Sequence, residues 1–467
     1  MASQIKIVRS AAGDKAQIKT SADKVIRKNV DGKQYVAFST LGCRVNHYET
    51  EALAVKFIRE GYEITDFNNF ADVYVVSTCS VTNMSDKKSR QIISRARRIN
   101  ENAIIAAVGC YSQVSPEEVA KIEGVDVVLG TRNKGDIVYY VNKAQDEKKS
   151  QVVVGEVLRN KEFEDLNIEE YQDKTRAFLK IQDGCNRFCA YCLIPYTRGA
   201  VCSKDPEKVI SEIHKLAEHG FKEIILSGIH TASYGVDLEG DVSLITILEE
   251  IEKIDGIERV RIGSIEPCFF TDEVIGKMKT MKKLCPQFHL SLQSGCDATL
   301  KRMNRRYTAK EYVEAVYKIR ENLKDASITT DVIVGFPGET DEEFIETYEY
   351  LKRLKLTKTH IFKFSPRKGT KAASMPNQID GTIKEKRSKA LIELYDKIES
   401  DFSKSLVGRE MDVLVEQEVS KKPGVFEGYT RNYVKVEIIN GSEEIIGKIV
   451  PCIIEDSNGD YLIGKIL

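Results

Sequence analysis

Apolar residues along this chain come in short runs separated by polar, amphipathic stretches, and the alternation changes character twice. From about Gln34 to Leu129 it reads as strand, turn and helix, repeated. Tyr35-Val36-Ala37-Phe38 is an apolar run, Leu41-Gly42-Cys43 breaks it, and a helical period follows from Asn46 to Glu60 until Gly61 stops it. Val73-Tyr74-Val75-Val76 is the next strand, with Cys79 just beyond it. A polar, basic helix is predicted over residues 85–100, and a third strand over 103–108, ending in Gly109-Cys110.

From Arg176 to Ser365 strand and helix alternate again. Strands are predicted at 178–181, 223–226, 259–262, 289–292, 327–334 and 360–364, with helices between them such as 206–220 and 341–354. Six βα units are too few for a closed eight-stranded barrel and suit an open half barrel. After about Ser403 the pattern becomes all-β. Short strands at 411–417, 425–429, 433–438, 445–450 and 461–463 are separated by Gly and Asn turns. Five such strands predict a small OB-like barrel of the kind that binds oligonucleotides. Phe426, Tyr429 and Tyr433 are then either base-stacking platforms or ordinary core aromatics. The fold class is α/β. It divides into a polar extension over 1–33, an N-terminal parallel-sheet domain over 34–150, a half barrel over 171–402 and the β barrel over 403–467.

At 467 residues the chain exceeds one ordinary core, so several domains are expected. Hydrophobic content of 42% and charged content of 30% describe a soluble protein. No run of 18 apolar residues exists and no secretory signal opens the chain, which predicts a cytoplasmic protein with no membrane partner. Its eleven Cys are then thiols available to metal rather than a disulfide framework. A net charge of −1 gives no global attraction to nucleic acid. Two local clusters are the candidates: Lys87, Lys88, Arg90, Arg95, Arg97 and Arg98, then Lys301, Arg302, Arg305 and Arg306. Such runs are either solvated faces or RNA contacts.

The sharpest chemical signal is Cys185-Asn186-Arg187-Phe188-Cys189-Ala190-Tyr191-Cys192. Three thiolates at this spacing hold three corners of a cubane iron–sulfur cluster and leave one iron open. A zinc knuckle is the alternative, but zinc sites close with four ligands and no second pair lies nearby. The open iron suits reductive cleavage of S-adenosylmethionine (SAM), whose amino and carboxylate groups chelate it. Cys43, Cys79 and Cys110 each follow a predicted parallel strand, at the edge where open α/β sheets bind ligands. They form either a second cluster site or a set of buried core thiols. Cys202, Cys268, Cys285, Cys296 and Cys452 share no such register and are predicted to be dispensable. At the carboxyl ends of the half-barrel strands, Ser227, Gly228, Ser264, Glu266, Gln293 and Gly335 are the candidate cofactor contacts. Gly335-Phe336-Pro337-Gly338 also reads as a plain turn.

These residues resemble the radical-SAM methylthiotransferases, in order, from about Tyr35 onward. The likeness is to the MtaB type, carried by Thr40-Leu41-Gly42-Cys43-Arg44-Val45-Asn46, Tyr48-Glu49-Thr50-Glu51, Ser227-Gly228-Ile229-His230-Thr231, Ser264-Ile265-Glu266 and Gly428-Tyr429-Thr430-Arg431-Asn432-Tyr433. The resemblance implies a radical-SAM half barrel, a TRAM-type terminal barrel and two 4Fe-4S clusters, on Cys185, Cys189 and Cys192 and on Cys43, Cys79 and Cys110. It implies insertion of a methylthio group at carbon 2 of N6-threonylcarbamoyladenosine, beside the anticodon in the tRNA stem-loop. One SAM would serve as methyl donor and one as radical source, with a one-electron reductant such as flavodoxin or ferredoxin. Where relatives carry Arg-Gly-x-x-x-Ser-Arg after the cysteines, this chain reads Arg198-Gly199-Ala200-Val201-Cys202-Ser203-Lys204, losing one guanidinium fork. Two other readings remain. One is a sister enzyme acting on N6-isopentenyladenosine in tRNA or on a ribosomal-protein aspartate. The other is a two-cluster electron-transfer or RNA-binding protein with no catalysis.

Overall fold

The computed structural model describes residues 5–8, 17–20, 32–80, 82–159, 162–166 and 175–467. The predicted extension lies mostly outside them. Within it, β1 (Ile5–Val8) and β2 (Gln17–Thr20) pair antiparallel. No helix among the described residues is long and apolar enough to cross a membrane. The chain divides into two compact units, and the division cuts through the cysteine loop. Met1–Asp173, Gln182–Phe188 and Cys192–Lys204 form the first unit; Lys174–Ile181, Cys189–Tyr191 and Asp205–Leu467 form the second.

The first unit is built on a six-stranded parallel sheet. Its strands are β3 (Tyr35–Thr40), β4 (Glu63–Thr65), β5 (Val73–Thr78), β6 (Ile104–Gly109), β7 (Val127–Leu129) and β8 (Gln151–Val153), in the order β4-β3-β5-β6-β7-β8. Helices α1 (Arg44–Arg59), α2 (Asn83–Ile99), α3 (Cys110–Val114), α4 (Pro116–Ala120) and α5 (Ile137–Glu147) connect them. The central strands are continuous apolar runs because both faces are covered. Val36, Phe38, Val73, Val75, Ala106 and Val108 pack with Leu53 and Phe57 of α1 and Val141 of α5. The alternate residues Ala37, Tyr74, Val76, Ile105 and Ala107 pack with Ile93 and Ala96 of α2. Helix α2 starts where the Thr82 hydroxyl accepts the Ser85 N–H.

The chain enters the second unit at β9 (Arg176–Lys180), returns to the first through β10 (Gln182–Asp183), α6 (Ile194–Arg198) and β11 (Cys202–Ser203), then stays in the second. There α7 (Pro206–Glu218), β12 (Glu223–Ser227), α8 (Leu244–Ile251), β13 (Arg259–Ile262), β14 (Ser264–Ile265), α9 (Asp272–Met278), β15 (Gln287–Leu290), α10 (Asp297–Arg302), α11 (Ala309–Asn322), β16 (Ser327–Val334), α12 (Asp341–Leu354) and β17 (Lys358–Lys363) form the half barrel. All its strand pairs are parallel, in two runs, β13-β12-β9 and β14-β15-β16-β17, which meet at Gly263.

Helix α13 (Gly381–Lys404) leads to a closed antiparallel and parallel barrel. It comprises β18 (Glu410–Glu418), β19 (Val425–Thr430), β20 (Lys435–Ile439), β21 (Ile449–Ser457) and β22 (Leu462–Ile466). Two predicted strands shift. The run expected from 433 starts at Lys435 because Tyr433 sits in a turn at φ 66°, where the Val434 N–H bonds the Thr430 hydroxyl at 2.9 Å. The run expected at 445–450 starts at Ile449, since Gly447 at φ 81° ends a 3₁₀ turn there.

The three candidate stacking aromatics go inward. Phe426 is in the barrel core, and Tyr429 stacks on Tyr433 with ring centres 4.8 Å apart. The guanidinium of Arg176 lies 5.0 Å from the Tyr429 ring centre, and that of Arg261 lies 4.7 Å from that of Tyr433. Arg259 donates to the Tyr429 and Asp412 carbonyls, Arg261 to those of Thr430 and Arg431, and Arg176 pairs with Glu416 at 2.7 Å. These arginines belong to β9 and β13, near their amino ends, so the barrel docks opposite the strand ends that carry Ser227 and Ser264.

Buried Glu223 is the shared anion of this joint. Burial works against its charge, but Arg261, Arg176 and Arg259 hold its carboxyl below the usual range. Glu223→Ala is therefore expected to destabilise the second unit by about 3–5 kcal/mol, because it leaves the buried guanidiniums of Arg259 and Arg261 without a carboxylate, while Arg176 keeps Glu416. Calorimetry should show a lowered unfolding midpoint; an unchanged midpoint would mean that the carbonyl contacts suffice.

Candidate active site

In the first unit, β3, β5 and β6 are neighbours in register, so their carboxyl ends bring Cys43, Cys79 and Cys110 to one edge. Glycine makes the convergence possible. A Cβ on Gly42, which has φ 108°, would stand 3.0 Å from the Cys79 Sγ and 2.9 Å from the Asn46 amide. A Cβ on Gly109, at φ 101°, would stand 2.9 Å from the Thr78 carbonyl. Asn46 staples the loops by donating to the Leu41 and Thr78 carbonyls at 2.7 and 3.1 Å.

Arg198 is fully buried at this edge. Its guanidinium donates to Glu49 at 2.6 and 3.1 Å, to the Asn46 Oδ1 at 2.5 Å and to Asp183 at 3.2 Å. Lys134 also pairs with Glu49. Burial opposes the charge of Arg198, but Glu49, Asp183, Cys110 and Cys43 together hold it firmly protonated. Three converging thiols, a glycine cradle without Cβ atoms and a buried cation fit a thiolate-held cluster of net negative charge.

Within the 185–192 loop, Cys185, Cys189 and Cys192 are all partly exposed. In the first unit the Ile194 N–H points at the Cys192 Sγ at 3.4 Å. In the second, Arg305 donates to the Cys189 Sγ at 3.3 Å. Each contact brings an N–H donor to a sulfur of the loop, an arrangement that fits cluster ligation. The segment Cys189–Tyr191 is fixed to the half barrel by Ala190, whose N–H bonds the Met303 carbonyl and whose carbonyl takes the Ala372 N–H.

Arg305 continues into a relay along the strand ends. Its Nε meets the Tyr307 hydroxyl at 2.8 Å and its Nη2 lies 3.3 Å from Glu266. Glu266 in turn lies 3.2 Å from the His230 Nε2, while the His230 Nδ1 meets the Ser233 hydroxyl. Burial opposes the Arg305 charge, yet Tyr191, Tyr307, Cys189 and Glu266 keep it well above its ordinary value. Ser227 and Gly228 end β12, and Ser264, whose carbonyl takes the Thr231 hydroxyl at 2.8 Å, begins β14 beside them. Gln293 is held at φ 73° by bonds between its main chain and Asp331 and Ile333 of β16. A non-glycine residue held there is strained backbone of the sort found at ligand sites. Gly335, at φ 70°, donates to Glu339 at 2.9 Å. Thus Glu266 is linked to a cluster cysteine, Ser227, Gly228 and Ser264 adjoin it, and Gln293 and Gly335 sit at the next strand ends.

Arg198 and Arg305 are site residues that sequence reasoning placed elsewhere. Arg305 counted as part of a basic run, and nothing local distinguished it from Arg306, which is exposed. Other members of the basic runs are also committed. Arg97 pairs with Asp126 at 2.9 Å and bonds the Gly124 carbonyl, and Arg302 pairs with Glu343. Lys87, Lys88, Arg95, Arg98, Lys301 and Arg306 are exposed.

Cys202 is fully buried in the first unit, with its Sγ 3.2 Å from the Arg132 guanidinium. Cys202→Ser keeps an acceptor for that donor, so iron content after anaerobic reconstitution should be unchanged. Loss of a full cluster's iron would make Cys202 a ligand.

Three family models match the chain: the radical SAM superfamily over residues 179–351, uncharacterized protein family UPF0004 over 35–130, and the TRAM domain over 404–467. A threonylcarbamoyladenosine tRNA methylthiotransferase MtaB from Bacillus subtilis is 43% identical, the match covering 89% of this chain and 92% of that one. The MtaB of Aquifex aeolicus is 42% identical over 90% of this chain and 100% of its own. A tRNA-2-methylthio-N(6)-dimethylallyladenosine synthase from Thermoanaerobacter is 34% identical over 95% of both. Among solved structures, the radical S-adenosylmethionine methyltransferase TsrM from Kitasatospora setae shares the fold, with a TM-score of 0.51, 16% identity and coverage of 73% of this chain and 75% of that one.

Proposed function

Since the chain belongs to the radical-SAM methylthiotransferases, and among them to the MtaB type, we propose that it inserts a methylthio group at carbon 2 of N6-threonylcarbamoyladenosine in tRNA. The observation that carries this is a match of 39–43% to MtaB enzymes along 86–90% of the chain, against 34–36% to the dimethylallyladenosine synthases. The functional parts are residues 34–150, 171–402 and 403–467.

Cys185, Cys189 and Cys192 hold the SAM cluster, and Cys43, Cys79 and Cys110 hold a second 4Fe-4S cluster. When bound, the first would supply the electron that opens a sulfonium C–S bond, and the second would carry the sulfur that is methylated and transferred. The chain's own residues set the conditions. Arg305 donates to the Cys189 sulfur and takes its orientation from Tyr307 and Glu266. Arg198 supplies a fixed positive charge beside Cys43 and Cys110 that water does not screen. Ser227, Gly228, Ser264, Glu266, Gln293 and Gly335 offer donors, acceptors and close backbone approach to SAM at the strand ends. The exposed members of the basic runs, rather than the barrel tyrosines, are the candidate phosphate contacts. A flavodoxin or ferredoxin supplies the electron.

The test uses reconstituted protein, SAM, dithionite and anticodon stem-loop RNAs carrying either N6-threonylcarbamoyladenosine or N6-isopentenyladenosine. Mass spectrometry should find the methylthio product on the first RNA. Product on the second alone would assign the chain to the sister activity.

A further inference from the structure

Within the second unit, His289, Asp331 and His360 come together although they are far apart in sequence. They lie on the adjacent parallel strands β15, β16 and β17, and one ligand atom from each falls within 4.8 Å of the other two. Asp331 and His360 are register partners, and His289 is paired with Thr329, two residues before Asp331. All three are on the sheet face turned away from the helices. On the opposite face Thr330 and Tyr312 of α11 share the Leu290 carbonyl, and Thr359 lies against Tyr395 of α13. Strand alternation then puts His289, Thr329, Asp331 and His360 on the helix-free face. His289 and Asp331 are partly buried and His360 is exposed.

The arrangement has the chemistry of a metal site. The Nδ1 of His289 is tied to the Thr329 hydroxyl at 3.0 Å, which sets the ring so that its Nε2 meets the Asp331 carboxylate at 3.2 Å. Ligands about 2.0–2.2 Å from a single ion stand about 3–3.5 Å from one another, so this pair is already at ligand spacing. An imidazole oriented through its other nitrogen is the usual form of a metal-binding histidine. His360 adds a third donor, its ring centre 6.1 Å from that of His289 and tilted by 33°. Two imidazoles and one carboxylate select a borderline divalent cation over magnesium or calcium, and three protein ligands leave coordination positions open.

We propose that His289, Asp331 and His360 form a binding site for a divalent transition-metal ion such as Zn²⁺, distinct from both cysteine sets and oriented by Thr329. None of its residues belongs to the cysteine loops or the Arg305 relay. The ion's open positions face the side of the half-barrel sheet that the helices leave uncovered.

The test uses the full chain with its iron–sulfur clusters reconstituted, so that cluster cysteines do not capture zinc. After incubation with Zn²⁺ and desalting, elemental analysis should find about one zinc per chain beyond iron, the occupancy of a single three-ligand site. His360→Ala, at an exposed position, and Asp331→Asn should each abolish retention while iron content and circular dichroism stay as in the wild type. Thr329→Val should weaken zinc affinity by about 10- to 100-fold without removing a ligand. Equal zinc in the wild type and in His360→Ala, or no retained zinc in either, would overturn the proposal and leave the trio as a hydrogen-bonded His–Asp pair beside a surface histidine.

Discussion

Simultaneous replacement of Cys185, Cys189 and Cys192 by Ala is expected to eliminate SAM cleavage while leaving about one cubane's iron per chain, if each three-cysteine set holds its own cluster. Three thiolates at this spacing leave one iron without a protein ligand, and only such an iron can chelate SAM. The surroundings agree: the Ile194 N–H and the Arg305 guanidinium both point at loop sulfurs. The measurement is 5′-deoxyadenosine by chromatography after dithionite reduction, with iron determined on the same sample. Wild-type amounts of 5′-deoxyadenosine from the triple variant would place the SAM cluster elsewhere. An Arg305→Lys variant offers a milder comparison. It keeps the charge but loses the planar fork that reaches Cys189, Tyr307 and Glu266 together, so 5′-deoxyadenosine should form more slowly on an intact cluster.

The second large effect is expected from Cys43, Cys79 and Cys110. Replacing all three by Ala should abolish methylthiolation of tRNA and halve the iron, while 5′-deoxyadenosine still forms. The two activities separate because the Cys43, Cys79 and Cys110 loops lie on a sheet with its own two-sided core and share no residue with the 185–192 loop. Arg198 makes the site more than a cluster of thiols. It is buried beside Cys43 and Cys110, and its ion pairs with Glu49 and Asp183 hold it charged there, so that its loss would leave both carboxylates without it. Arg198→Met should lower the midpoint potential of the remaining auxiliary cluster signal in electron paramagnetic resonance, since a fixed positive charge favours the reduced, more negative state. Full wild-type iron in the triple cysteine variant would remove these residues from the ligand set.

Much of this architecture was legible in the sequence for a physical reason. Val73–Val76 is an unbroken run of buried, largely apolar residues because helices cover both faces of the sheet, and such runs announce buried parallel strands. Gly42-Cys43 and Gly109-Cys110 were legible too, since a thiol next to a glycine at a strand end marks a tight approach. What remained hidden depends on long-range return of the chain. Arg198 follows Cys185, Cys189 and Cys192 yet binds Glu49, which follows Cys43 and lies 149 residues before Arg198 in the chain. Arg305 looks like its neighbours until the fold places it against Cys189. Tyr429 and Tyr433 offered aromatic rings to RNA on composition alone. The arginines of β9 and β13 claim them instead, because a buried guanidinium needs carbonyls and ring faces around it. Cutting the chain before the barrel would therefore expose Arg259 and Arg261 without their acceptors, and so would damage the half barrel as well as remove a domain. The strand register that joins His289, Asp331 and His360 likewise leaves no local trace.

The most direct measurement is nucleoside analysis, by liquid chromatography and mass spectrometry, of tRNA from cells that lack this chain. N6-threonylcarbamoyladenosine should persist while its 2-methylthio derivative is absent, and the wild-type chain, but neither triple cysteine variant, should restore it. Persistence of that derivative together with loss of the methylthio form of isopentenyladenosine would contradict the assignment.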